Sequence, residues 1–419
     1  MKKPIKSQQL LFTSLLLGVN PLATIAQTQG SSTSPIEVQR LGGLGRYDTS
    51  AEINKYGWQK ASTYAVIATG EDFPDALSAT PLAAKYNAPI LLTEKTKLSD
   101  KSVEQLIRLK VSTVYIVGGT GVVSKAVEDL LTGMKITVKR LWGQDRYATS
   151  IEVAKMVGSQ NGVVMATGAN FPDALSIAPI AATKNMPILL TGKDNLPVNV
   201  KSYVTANGVS KAYIIGGAGV ISDAILKQFS NGKRLAGIDR YKTNIAVLQE
   251  FHDELNLNTS LLATGENFPD ALSGSALAPS TKSPIILVNR DINDSTRSFI
   301  TTNYSSIQKL VVLGGEGAIP NSVVHSFTYD FLNNGSATVE SNVKVIDQIK
   351  VPQVLQEIEK VEDTVGTDSS ITLNTDTGTL GQLKPGDIFY LEPTQDNPTG
   401  YAEKVVSKSA NQTKVYSWG

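Results

Sequence analysis

Short apolar runs alternate along this chain with longer segments whose apolar residues fall at helical spacing. Tyr64-Ala65-Val66-Ile67-Ala68, Pro89-Ile90-Leu91-Leu92 and Val114-Tyr115-Ile116-Val117 are short, β-rich and continuously apolar, and Ile136-Thr137-Val138 leads on to the next segment. Between them, Ser99 to Leu109 sets Val103, Leu106, Ile107 and Leu109 on one predicted helical face, with Ser99 as the N-cap. Continuous rather than alternating apolar strands, separated by helices, predict parallel sheets covered on both faces. In such a sheet every strand-to-helix loop emerges at the carboxyl edge, so the residues just after each strand share one rim. This pattern leaves the strand order open.

The same pattern occurs three times. Gly45-Arg46-Tyr47 returns as Asp145-Arg146-Tyr147 and Asp239-Arg240-Tyr241. Thr69-Gly70 with Phe73-Pro74-Asp75-Ala76-Leu77-Ser78 returns at Thr167 to Ser176 and Thr264 to Ser273. Pro89 to Leu92 returns at 187–190 and 284–287, and Gly118-Gly119-x-Gly121 returns as Gly216-Gly217-x-Gly219 and Gly314-Gly315-x-Gly317. Spacings of 94 to 100 residues are those of tandem domains rather than of a solenoid. The expected division is module one at 38–137, module two at 138–232 and module three at 233–330.

The flanks differ. Residues 1–26 run from a basic start through a mostly apolar Leu10 to Val19 to Thr24-Ile25-Ala26, the layout of a secretory signal peptide, with 27–37 as a linker. No later stretch is apolar for long enough to span a bilayer, so no stable membrane insertion is expected once the signal is cleaved. After a linker at Asn333 to Ser336 and a helical pattern at Val351 to Val361, residues 331–419 form a turn-rich β region. Strands are expected near Ile371-Thr372-Leu373, Asp387 to Leu391 and Lys404-Val405-Val406.

Composition narrows the chemistry. The 419 residues contain no cysteine and two histidines, which leaves thiolate sites and multi-histidine metal centres without ligands, and no cofactor is implied. Thirty-nine basic against 38 acidic residues, net +1, is not the excess of a nucleic-acid binder. Seven lysines against twelve acidic residues in 331–419 put the positive excess in the repeats. His252 and His325 have no repeated counterparts and read as surface or half-buried side chains.

Each recurring motif has two readings. Gly118-Gly119, Gly216-Gly217 and Gly314-Gly315 are turn glycines, or expose backbone N–H groups to a phosphate as helix N-termini do. Asp75, Asp173 and Asp270 open helices after Phe-Pro, where a carboxylate complements the macrodipole, or orient an arginine at a module surface. Arg46, Arg146 and Arg240 offer a planar fork for phosphate or carboxylate beside a tyrosine suited to a sugar ring, or form intermodule salt bridges. On this reading these arginines and aspartates are the charges that recur in all three copies. Thr93 and Thr191 end their strands at the same rim as possible ligand contacts.

These motifs, above all Arg146-Tyr147-Ala148-Thr149-Ser150, Phe171-Pro172-Asp173-Ala174-Leu175-Ser176, Pro187 to Leu190 and Gly216-Gly217, resemble the type 2 cell-wall-binding repeat family of Gram-positive bacteria over about residues 38–330. The resemblance implies three parallel-sheet α/β modules around a pseudo-threefold axis, joined to a variable partner region, here 331–419. It implies a secreted, non-enzymatic protein held without covalent linkage on an anionic secondary wall polymer. Arg46, Arg146 and Arg240 with Tyr47, Tyr147 and Tyr241 are then the candidate contacts. An autolytic hydrolase, or an adhesin or surface-layer subunit acting through 331–419, is the alternative. In that region there is neither histidine nor cysteine for zinc or thiol chemistry.

Overall fold

The computed structural model describes residues 36–290 and 293–328, together with the backbone of five strands between 343 and 417. The signal-peptide segment, most of the 27–37 linker, Asn333 to Ser336 and the helical pattern at 351–361 lie outside the described residues.

Each repeat supplies four strands and its helices in one order. The first runs β1 (Glu37–Leu41), α1 (Arg46–Gly57), β2 (Tyr64–Thr69), α2 (Ala79–Lys85), β3 (Ile90–Thr93), α3 (Asp100–Leu109), β4 (Thr113–Val117) and α4 (Lys125–Gly133). The second runs β5 (Thr137–Leu141), α5 (Arg146–Val157), β6 (Val163–Thr167), α6 (Pro172–Thr183), β7 (Ile188–Thr191), α7 (Val198–Ala206), β8 (Lys211–Ile215) and α8 (Asp223–Leu226). The third runs β9 (Asn231–Leu235), α9 (Arg240–Glu250), β10 (Thr259–Thr264), α10 (Pro269–Thr281), β11 (Ile285–Val288), α11 (Asp294–Thr302), β12 (Lys309–Leu313) and α12 (Asn321–Thr328).

The expected strands are present, and every pairing among them is parallel. Ser99 caps α3 as read, its hydroxyl accepting the Ser102 N–H at 3.1 Å. Ile107 corrects the predicted face of that helix. It is 65 % exposed, while Leu106 and Leu109 are buried.

Strand order holds a feature that local patterning cannot give. The sheets run β3-β2-β4-β5, β7-β6-β8-β9 and β11-β10-β12-β1. The first strand of each repeat therefore finishes the sheet of the repeat before it, and β1 finishes the third, with Glu37 opposite Lys309 and Leu41 opposite Leu313. Ring closure thus falls to the earliest strand described. The opposite edges, β3 and β11, are not left bare. Asn54 on α1 donates to the Ile90 carbonyl, while Asn244 on α9 donates to Ile285 and accepts from Leu287 N–H. Buried side chains thereby satisfy edge groups that would otherwise invite pairing.

Around the axis stand α2, α6 and α10, each in contact with the other two. α6 and α10 are buried on nearly all sides, as uniformly apolar composition demands. Each also receives the first helix of the next repeat: α5 packs on α2, α9 on α6 and α1 on α10. One apolar cluster spans all three modules, from Leu41 to Leu313. At one end of the axis Phe73, Phe171 and Phe268 meet with ring centroids 5.6 to 6.2 Å apart, in tilted and edge-on geometry. Beyond the repeats, Val343–Val345, Ser370–Asn374, Ile388–Leu391, Tyr401–Lys408 and Gln412–Ser417 form a mostly antiparallel five-stranded sheet. Three of them fall on the strands expected there.

Candidate functional site

The loop entering each first helix reads Arg-Leu-x-Gly-x-x-Arg-Tyr: Arg40 to Tyr47, Arg140 to Tyr147 and Arg234 to Tyr241. The second arginine opens its helix. Where the preceding residue is Asp145 or Asp239, its carboxylate caps that helix, accepting the Ala148 or Lys242 N–H at 2.7 Å. Gly45 supplies no such cap.

Each guanidinium of this second set then folds back over its own module. Arg46, Arg146 and Arg240 donate to the carbonyls of Gly70, Gly168 and Gly265, just past the central strands. Facing them across each junction is the aspartate of the preceding repeat: Arg46 meets the field of Asp270, Arg146 that of Asp75 and Arg240 that of Asp173. The reading in which Asp faces Arg therefore joins neighbouring modules in a cycle. Among the described residues these arginines make no ion pair within 4.0 Å, so the intermodule salt bridge is not formed at contact distance.

Burial dominates the aspartates. It pushes Asp173 and Asp270 up to about 6, against the smaller opposing pull of Arg240 and Arg46. Asp75 is raised for the same reason, with a Thr149 hydrogen bond and Arg146 holding it lower. Because the folded-state value lies above the unfolded one, the stability linked to this proton is present below about pH 4 and lost as pH rises through 6. Asp173→Asn should therefore be more stable than wild type at pH 7.5, by about 3 kcal/mol, and match it near pH 4. Denaturant unfolding at the two pH values measures this. A lower stability of the Asn variant at pH 7.5 would mean that attraction to Arg240 outweighs burial.

The glycine pairs are turn glycines. Gly118, Gly216 and Gly314 have φ of 119°, 108° and 112°, and a Cβ there would stand 3.0, 2.5 and 2.5 Å from the carboxylates of Asp75, Asp173 and Asp270. Their N–H groups bond to Leu141, Leu235 and Leu41 carbonyls, which corrects the reading of them as phosphate donors. Nor does a helix start there, since α4 begins only at Lys125 and α8 at Asp223. The second glycines, Gly119 and Gly315, do line cavities, while Gly217 has open space about its Cβ position.

Two further expectations are corrected. Thr93 and Thr191 are fully buried, their hydroxyls donating to their own loops at Glu94, Lys97 and Gly192, so neither reaches the surface. Tyr47, Tyr147 and Tyr241 pack against the apolar core and cover Gly70, Gly168 and Gly265. Those rings are spent on packing and do not stand free for sugars.

The sequence reading missed a second repeated arginine. Arg40, Arg140 and Arg234 donate to the carbonyls of Gly314, Gly118 and Gly216 at 2.9, 2.9 and 2.6 Å. Each also binds the following segment, at Asn321, Glu128 or Asp223. They brace the Gly-Gly turn that receives the aspartate, and their recurrence six residues before Arg46, Arg146 and Arg240 was the available signal.

Open cavities lie at the junctions. One of about 510 Å³ is lined by Arg46, Thr49, Glu266, Asn267, Asp270 and Gly315, among others. Its counterpart, about 340 Å³, is lined by Asp72, Asp75, Gly119, Trp142, Asp145 and Arg146. Among the described residues no cluster of His, Asp or Glu is placed to hold a metal ion, and no helix is long and apolar enough to cross a membrane. His252 is exposed and bonded to Asn303 at 2.8 Å, and His325 is half-buried.

Comparison with known proteins follows the same three-part division. A family model described as Cell wall binding domain 2 (CWB2) matches residues 40–128, 140–226 and 234–324. The chain is 33% identical over 290 residues to the N-acetylmuramoyl-L-alanine amidase LytC of Bacillus subtilis (strain 168), covering 69% of this chain and 57% of that one. It is 31% identical over 320 residues to the Amidase enhancer of the same organism, covering 73% and 43%. Among solved structures, Cwp6 from Clostridium difficile aligns with a TM-score of 0.66 at 30% identity over 78% of this chain and 54% of its own. Cwp8 from the same organism aligns at 0.64 and 28% over 71% and 52%. The chain spans about half the length of these relatives.

Proposed function

Because the chain belongs to the Cell wall binding domain 2 family, we propose that it is exported and held without covalent linkage on an anionic polymer of the cell wall, through the three module junctions. The observation that carries this reading is the cycle of Arg46, Arg146 and Arg240. Each ties part of its guanidinium to a glycine carbonyl, and Arg46 and Arg146 line open cavities. A fork held at one end is pre-organised, so less side-chain entropy is lost when its remaining N–H groups meet a phosphate or carboxylate. Three such sites on one rigid body raise avidity without any single strong site.

The facing aspartates temper each site. As pH falls through 6, Asp173 and Asp270 take up protons and the opposing arginines gain free positive field. Binding of an anionic polymer strengthens in mildly acidic medium.

A second reading draws on the relatives. LytC is named an amidase and another relative an amidase enhancer, so the repeats would deliver wall-remodelling activity carried elsewhere to the surface. Either way the repeats bind rather than catalyse.

The test is sedimentation with isolated walls, before and after acid removal of their secondary polymers. Wild-type protein should pellet only with untreated walls and be released by salt. The triple Arg→Gln variant at 46, 146 and 240 should bind about 100-fold more weakly, at ~1 kcal/mol per exposed Arg–anion contact, with a flatter salt dependence. Equal binding by a variant of unchanged melting temperature would place the polymer elsewhere.

A further inference from the structure

The three junctions are not equivalent, and the difference is concentrated at one residue. Trp142 follows β5 and is 54 % exposed. Its ring lies over Gly119, 3.6 Å from where a Cβ would sit, and it lines the 340 Å³ cavity between modules one and two. At the matching positions of the other repeats stand Gly42 and Ala236, which offer no ring. The charges differ too. This cavity gathers Asp72, Asp75 and Asp145 around the single Arg146, whereas Asn170 and Asn267 replace Asp72 in the other two copies and Gly45 replaces Asp145 in one. The junction with the aromatic platform is thus the one least suited to an anion.

An exposed indole beside carboxylates, the Gln144 amide and the Thr120 hydroxyl is a combination with a definite chemical complement. A pyranose presents an apolar C–H face to the ring's negative π surface, while its hydroxyls donate to carboxylates and accept from the amide and hydroxyl. We propose that the junction of modules one and two is a subsite for a neutral sugar ring, stacked on Trp142 and hydrogen-bonded by Asp72 and Asp145. Arg146 makes the weakest of the three anion contacts there, beside the sugar, and the other junctions make the stronger ones. This rests on the wall-polymer reading above and refines it: an alternating polymer of neutral sugars and anionic groups is read at unlike sites on one body.

Indole emission provides a test that does not depend on walls. In the full chain, N-acetylglucosamine, N-acetylmannosamine and glucose are titrated at millimolar concentration, with glycerol phosphate as the anionic counterpart, and the Trp142→Phe difference isolates this ring from Trp58 and Trp418. At least one neutral sugar should shift the Trp142 emission, and glycerol phosphate should not. In wall sedimentation, Trp142→Ala should weaken binding about tenfold with the salt dependence unchanged, whereas the arginine variants flatten it. A response to glycerol phosphate alone, or none to any sugar with normal wall binding by Trp142→Ala, overturns the subsite while leaving the wall-polymer reading intact. Protection of Trp142 from acrylamide in the free chain also overturns it, because the ring is then already covered. If wild type ignores walls but answers a neutral sugar, the subsite stands and the wall-polymer reading falls.

Discussion

A chain beginning at Gly42 should lose the cooperative fold of its third sheet, although no residue of repeat three is altered. β1 closes that sheet, and with it go the buried side chains of Ile36 and Leu41, worth about 1.5–3 kcal/mol each. Arg40 also disappears, leaving the Gly314 carbonyl and the Asn321 side chain without their guanidinium, and the Gly314 N–H without the Leu41 carbonyl. A loss beyond about 5 kcal/mol is expected, a large part of what a domain has to spare. The truncated β12 edge should then recruit a strand from a neighbouring molecule. Circular dichroism melts and gel filtration of the truncated and full chains measure both effects. A synthetic peptide of residues 35–44 should restore part of the lost stability. An unchanged melt would mean that β1 decorates the third sheet without sustaining it.

Gly216→Ala should cost about 3 kcal/mol or more, and Gly314→Ala the same. A backbone φ near +110° is strained for any residue with a Cβ, by roughly 1–3 kcal/mol. On top of that, the new methyl would stand 2.5 Å from Oδ2 of Asp173 or Asp270, and the carboxylate cannot retreat without losing its place opposite the next module's arginine. Gly118→Ala should be milder, because the distance to Asp75 is 3.0 Å. A double-mutant cycle separates the causes: adding Asp173→Ala to Gly216→Ala should recover the collision and leave the backbone strain. Equilibrium unfolding in urea gives each free energy. Additivity of the two changes would show that glycine is needed there for its backbone alone.

Much of this architecture was legible because the repeats state it three times. The central strands read as unbroken apolar runs, since both faces of each sheet are covered, and Tyr64 to Ala68 or Val114 to Val117 could be nothing else. The rim loops followed from parallel pairing. What stayed hidden was cyclic displacement by one repeat. Neither β1 on β12 nor Arg46 facing Asp270 leaves a local periodic trace, because each joins residues more than two hundred positions apart. Thr93 and Thr191 misled for a related reason: a strand's last residue lies at the rim by topology, yet here its loop folds over it. The tyrosines misled because a ring suited to sugars is equally suited to covering a glycine. Arg40, Arg140 and Arg234 were readable all along.

The borrowed first strand also governs how such a protein can change its length. In a solenoid a repeat can be gained or lost by recombination, and the neighbours simply restack. Here the third sheet is waiting for β1, and Arg40 and Gly314, 274 positions apart, must come together before that sheet has all its strands. Excising one repeat in frame would not give a smaller ring. It would give an open arc, with an unpaired edge at one end and a homeless strand at the other. Inserting a fourth would crowd an axis at which three phenylalanines already meet. Copy number is therefore set by geometric closure, and duplication can enlarge this kind of ring only in steps of three.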